Sequence, residues 1–115
     1  MRRGDVRFVD FEPVRGNEAN KRRPAVVVSN DTANAIADRL GRGVVTVVPL
    51  TSNTENVYAF QVHVPAPLAG LEVDCKAQAE QIRSVSVDRL SPSLGRLPIP
   101  VMNAIDDALR LHLAL

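Results

Sequence analysis

Two short valine-rich runs, Pro24-Ala25-Val26-Val27-Val28 and Gly43 to Leu50, constrain the fold more than anything else in this chain. Each is too short for a helix, rich in β-branched residues, and apolar without alternation, which is the pattern of a strand covered on both faces. Both abut polar chemistry. Arg22 and Arg23 precede the first run, and Thr51-Ser52-Asn53-Thr54 follows the second. Only 3% of the residues are aromatic while 45% are hydrophobic, so aliphatic side chains must fill whatever core covers these strands. A chain of 115 residues supports one such core, and residues 1–115 are read as a single domain.

Other elements arrange themselves around the two runs. Asp5 to Phe11 alternates loosely and reads as a strand. Val14 to Arg23 holds Gly16, Asn17 and Asn20 among five charged residues and reads as a long polar loop. Asn30 or Asp31 can cap a helix carrying Ala33, Ile36, Ala37 and Leu40 on one face, with Gly41 as its left-handed stop. Phe60, Val62 and Val64 alternate with Gln61 and His63 in one further strand. From Leu71 to Ala79 the odd positions are apolar and the even ones polar, the clearest strand pattern in the chain. That parity slips at Ile82, so a bulge or bend is expected near Glu80-Gln81. Pro100 to Leu113 places Met102, Ile105, Leu109 and Leu113 on one helical stripe. The sum is an α+β domain: a small, mostly antiparallel barrel with a short helix between strands and a C-terminal amphipathic helix. A helix between two valine-rich strands equally permits a parallel βαβ unit, and periodicity leaves both open.

Composition narrows the function classes. Fourteen Lys and Arg against thirteen Asp and Glu give a formal charge of +1, so no global field marks a nucleic-acid partner. Any basic surface must be local: Arg2, Arg3, Arg7, Arg15, Lys21, Arg22 and Arg23 crowd the first 23 residues against four carboxylates. A single cysteine, Cys75, fits a reducing compartment, and a cytoplasmic protein is expected. No apolar run approaches the ~20 residues of a membrane span, and Met1 to Asp5 lacks the apolar stretch of a signal peptide. His63 and His112 are isolated, and no His, Cys and Asp grouping has ligand spacing, so no metal is expected. Cys75, on the apolar side of its strand, reads as a small buried hydrophobe.

One juxtaposition carries chemistry. Arg23 immediately precedes one buried strand and Thr51 immediately follows the other, so antiparallel neighbours would bring them to the same sheet end. A guanidinium binds two phosphoryl oxygens at once, and a hydroxyl adds a further hydrogen bond. On pattern alone, a solvated loop cation and a turn-forming threonine account for the two residues equally well.

The ordered blocks Arg3-Gly4-Asp5-Val6, Gly16-Asn17-Glu18 with Arg23-Pro24-Ala25-Val26-Val27-Val28-Ser29-Asn30, Val48-Pro49-Leu50-Thr51-Ser52, and Gln81-Ile82-Arg83-Ser84-Val85 with Arg89-Leu90 shift that balance. The chain resembles the MazF/PemK toxin family over nearly its whole length. The resemblance implies an SH3-like barrel, a two-fold homodimer, and a sequence-specific, metal-independent endoribonuclease that uses no cofactor. It further implies that such a toxin cuts single-stranded RNA, restrains translation and growth, and is inhibited by a cognate antitoxin. By this resemblance Arg23 acts as acid or transition-state stabiliser, and Thr51 holds the scissile phosphate as the 2′-hydroxyl attacks.

Some members carry His where Asn17 stands, and Arg and Asp near Gln78 and Glu80. Glu18 and Glu80 are therefore the candidates for the proton acceptor. Base contacts would fall to Asn17, Asn20, Gln81, Arg83 and the loop from Ser52 to Val57, Asn53 included. Phosphate contacts would fall to Arg15, Lys21 and Arg22. A toxin of the same fold that poisons a DNA topoisomerase without cutting RNA is the second reading. A peptide-binding SH3-like module is the third, and the scarcity of aromatics weighs against it.

Overall fold

The computed structural model describes residues 1–11 and 22–115. Its elements, in chain order, are β1 (Asp5–Asp10), β2 (Arg22–Val27), α1 (Asp31–Leu40), β3 (Val44–Thr51), β4 (Gln61–Val64), α2 (Ala66–Ala69), β5 (Cys75–Gln78), β6 (Arg83–Ser86), β7 (Gly95–Arg96) and α3 (Ile99–Leu113). Every strand pairing is antiparallel. The valine-rich strands β2 and β3 lie side by side with Ala25 opposite Pro49 and Val27 opposite Val47, which removes the parallel βαβ alternative.

Strand β3 organises the sheet. Along one edge it pairs with β2. Along the other, its first half pairs with β6 and its last two residues, Leu50 and Thr51, pair with β5. A short 3-10 turn, Ala79–Gln81, carries the chain from one partner to the next, at the place where sequence parity slips. The sheet therefore curls into a half-barrel. Its far side is drawn in by Val9 bridging Leu90 and by the Phe8 and Val6 carbonyls accepting from the Ser91 and Leu94 N–H groups at 2.9 and 2.8 Å.

The buried side chains form two clusters. Val6, Val26, Val48, Leu50 and Val64 pack against Met102 and Ile105 of α3. Val9, Val27, Val45, Val47 and Val85 pack against Ala37 of α1. Burying one such aliphatic side chain contributes about 1.5–3 kcal/mol, so interdigitated valines suffice without aromatics. Asp106 on α3 forms an ion pair with Arg3, whose Nε donates to the Val28 carbonyl at 2.9 Å, tying the helix to the sheet.

Three expectations are corrected. Helix α1 has the predicted caps: Asn30 Oδ1 accepts from the Ala33 N–H at 2.8 Å and Gly41 has φ 63°. It buries Asn34 and Ala37, however, and leaves Ile36 and Leu40 44% and 52% exposed. The reason is polar. Asn34 Nδ2 donates to the Ser29 carbonyl at 2.9 Å and its Oδ1 accepts from the Ser29 hydroxyl, so a buried amide satisfied by the preceding turn sets the helix rotation. The strand read over Leu71 to Ala79 is shorter, Cys75–Gln78, because Gly70 at φ 67° and the Asp74 carboxylate, which accepts from the Ala66 N–H at 2.8 Å, hold residues 71–74 in a connection off the sheet. The stripe of α3 ends early as well: Met102, Ile105 and Ala108 are buried and Leu113 is 47% exposed, since the last turn projects beyond the sheet.

Candidate functional site

Carrying the β2–β3 register two residues beyond Ala25 and Pro49 sets Arg23 opposite Thr51. Both residues line a cavity of about 640 Å³ that also touches Phe8, Arg22, Ser52 and Glu72. The two valine-rich strands thus deliver their terminal polar groups to one place, as the antiparallel reading requires. Arg23 is exposed and Thr51 is partly buried. The Thr51 hydroxyl oxygen accepts from the Asn53 N–H at 3.3 Å, which orients the side chain and leaves the hydroxyl proton free to donate outward. Arg22 lies with its guanidinium 4.8 Å from the centre of the Phe8 ring, so a second cation is held at the cavity by stacking on an aromatic face.

The other proposed contacts divide between the cavity and more distant places. Ser52 lines the cavity and Asn53 is next to it, with its Oδ1 accepting from the Glu55 N–H at 3.2 Å. Arg83 pairs across from Val47, four residues before Thr51, roughly 13 Å back along the strand, and its guanidinium sits 5.2 Å from the Phe11 ring. Gln81 is exposed on the turn leading into β6. Glu80 does not line the cavity, and its two carboxylate oxygens accept from Gln61 Nε2 at 2.8 and 3.1 Å. Arg15, Asn17, Glu18, Asn20 and Lys21 lie outside the described residues. Among the described residues, the carboxylate that lines the cavity is Glu72, which sequence reasoning missed because its strand-like neighbourhood disguised a connection. Gly70, placed where a chain leaves a helix, was the available signal.

The matching family model is that of the PemK-like, MazF-like toxins of type II toxin-antitoxin systems, and it covers residues 2–113. The chain belongs to this family. It is 60% identical over 115 residues to endoribonuclease MazF9 of Mycobacterium tuberculosis, a match covering 100% of this chain and 98% of that one. It is 32% identical over 116 residues to endoribonuclease EndoA of Bacillus subtilis, covering 100% and 96%. Among solved structures, an endoribonuclease in complex with its cognate antitoxin from a mycobacterial species superposes with a TM-score of 0.77 at 27% identity, covering 100% of this chain and 96% of that one.

The titratable side chains of this PemK/MazF toxin sharpen the site. Burial, with a smaller push from the Asp74 charge, raises the Cys75 thiol above its usual range, so the sulfur that borders the cavity stays a neutral hydrophobe. His63 lies 3.7 Å from the Asp74 carboxylate and His112 near the end of α3, and neither lines the cavity. Among the described residues, no three His, Cys, Asp or Glu side chains are grouped to hold a metal ion. Among the described residues, the cavity offers two guanidinium groups, two hydroxyls and one carboxylate, a set suited to a phosphodiester and a proton transfer.

Proposed function

We propose that this toxin is a sequence-specific endoribonuclease that cuts single-stranded mRNA or other RNA without a metal ion. The observation that carries the reading is the placement of Arg23 and Thr51 on one cavity at the shared end of β2 and β3. In this mechanism the 2′-oxygen attacks the adjacent phosphorus, the bond to the 5′-oxygen breaks, and a 2′,3′-cyclic phosphate and a 5′-hydroxyl result. Negative charge grows on the non-bridging oxygens, where Arg23 supplies a bidentate donor and Thr51 a further hydrogen bond. Arg23 can also stand beside the departing oxygen as it gains a proton. The 2′-hydroxyl proton passes to a carboxylate: Glu18 and Glu80 are the candidates from sequence, and the cavity adds Glu72. Arg15, Lys21 and Arg22 would neutralise flanking phosphates, and Asn17, Asn20, Ser52, Asn53, Gln81 and Arg83 would meet bases.

The names of the relatives support this reading, as does the antitoxin complex of the structural neighbour. We further infer a cytoplasmic toxin that works as a homodimer and is silenced by a cognate antitoxin. No described helix is long and apolar enough to cross a membrane. The test is incubation of the pure protein with a long RNA in the presence of a chelator, followed by mapping of the new ends. Discrete cuts with 5′-hydroxyl ends are expected, and Arg23→Ala should slow them roughly a hundredfold or more. Intact RNA would favour the topoisomerase-poison reading, and wild-type rates for Arg23→Ala would overturn the mechanism.

A further inference from the structure

The connection between β3 and β4, which starts at the cavity with Ser52, is held more firmly than a surface loop requires. Asn53 and Glu55 are bonded in turn to Thr51 and Asn53, as described above. At its far end, the Tyr58 N–H donates to Gln61 Oε1 at 3.2 Å and the Tyr58 carbonyl accepts from the Gln61 N–H at 2.9 Å, while Gln61 Nε2 rests on Glu80. Between these ends sits Lys76. Its position alternates with the apolar ones of β5 and should face solvent, yet it is only 7% exposed. Burying an ammonium is costly unless the charge is met. Here it is met by the Asn56 carbonyl at 2.5 Å and by the face of the Tyr58 ring, whose centre lies 5.9 Å away; among the described residues no carboxylate pairs with it. A lysine satisfied only by one loop conformation holds the loop in that conformation.

What the loop displays is apolar and flat. Tyr58 stacks on Phe60 with ring centres 5.6 Å apart and planes 12° apart, and Tyr58 remains 56% exposed. In a chain with one tyrosine, three phenylalanines and no tryptophan, an open aromatic stack is conspicuous. Lys76 is also the cross-strand partner of Thr51, so the stack stands at a fixed offset from the hydroxyl assigned to the scissile phosphate. Unpaired bases bind by stacking on aromatic faces, with little dependence on base identity.

We propose that the Tyr58–Phe60 stack seats one splayed-out RNA base beside the cut, and that Lys76 is the positioning residue that fixes its distance from Thr51. The proposal rests on the endoribonuclease reading. The stack supplies affinity, and neighbouring polar loop groups supply whatever choice of base is made there.

Because Tyr58 is the only tyrosine and tryptophan is absent, intrinsic fluorescence reports this residue alone. A single-stranded oligonucleotide spanning a mapped cut site, with 2′-deoxyribose at the attacking position, should quench it saturably. Tyr58→Leu should raise KM roughly tenfold or more with kcat within a few-fold of wild type, and Tyr58→Phe should restore KM. Lys76→Met should raise KM and broaden the set of sites cut, with Lys76→Arg recovering the original profile. Unchanged fluorescence at saturating oligonucleotide, or wild-type KM and cut sites for Tyr58→Leu, would overturn the proposal while leaving the ribonuclease intact. A wild-type protein that cuts no RNA would remove the underlying function instead. Since Tyr58 is exposed, its variants keep the test decisive even if Lys76→Met fails to fold.

Discussion

Replacing Gly70 by alanine tests how the cavity wall is built. Gly70 ends α2 with φ 67° and ψ 28°, a left-handed conformation that costs a residue with a Cβ about 1–2 kcal/mol. Its Cβ would also stand 2.1 Å from the Leu94 carbonyl oxygen and 2.9 Å from the Leu94 carbonyl carbon. That backbone has little room to retreat. The Leu94 N–H donates to the Val6 carbonyl at 2.8 Å, and Gly95 pairs with Val6 in the β1–β7 ladder. Overpacking of this kind adds about 1–3 kcal/mol, so Gly70→Ala should cost about 2–5 kcal/mol. For a domain of this size the melting temperature should fall by roughly 10–20 °C. Gly41→Ala is the internal control. It has nearly the same backbone, φ 63°, but nothing lies within 4 Å of the added carbon, so only the conformational cost of about 1–2 kcal/mol applies. Thermal melts followed by circular dichroism on both variants separate strain from collision. Equal shifts for the two would refute the reasoning that close approach to Leu94, beyond the left-handed backbone, demands glycine at position 70.

Three further outcomes are expected. Thr51→Ala should lower kcat about a hundredfold while Thr51→Ser retains most of it, because in the proposed mechanism the hydroxyl and not the methyl contacts phosphate; equal losses in single-turnover assays would assign Thr51 a packing role instead. Glu72→Gln should remove the acidic limb of the pH–rate profile if Glu72 takes the 2′-hydroxyl proton, and an unaltered limb would return the task to Glu18 or Glu80. Asp5 is 4% exposed; burial, the largest influence, pushes its carboxyl up, but hydrogen bonds from the Arg2 N–H, Arg96 and Arg7 together hold it below 3.8. A carboxyl lowered on folding stabilises fully above its unfolded value of about 3.9 and loses that contribution as pH falls through the lower folded value. Asp5→Asn should therefore destabilise the protein at pH 7 in denaturant melts, and the difference should shrink as pH falls through the lowered folded value; a pH-independent difference would contradict the assignment.

The elements read correctly from sequence were those whose signal is local. Asn30 and Gly41 bracket α1 because capping is settled within a few residues, and the two valine runs declare burial by composition alone. What was missed depends on partners distant in the chain. The rotation of α1 follows from Asn34 finding Ser29, which no apolar moment encodes. Strand β7 is two residues long and exists because β1 needs a partner on its outer edge. The parity rule over Leu71 to Ala79 failed in its first half, since Gly70 and Asp74 commit the backbone elsewhere before the sheet begins.

The site divides along the same line. The meeting of Arg23 and Thr51 on one cavity was legible because both stand at the ends of strands whose pairing is the simplest one available. Glu72 and Lys76 were not, and they fail in opposite ways. A charged residue in an alternating strand is read as solvent-facing, which holds only where solvent is what lies opposite. For Lys76 the space is filled by the loop that follows Thr51, so the even position that should be wet is buried and charged at once. Such a lysine stabilises little by its charge alone. Its value lies in being compatible with one arrangement of that loop, so conservative replacement should conserve the choice of cut site more faithfully than it conserves the melting temperature.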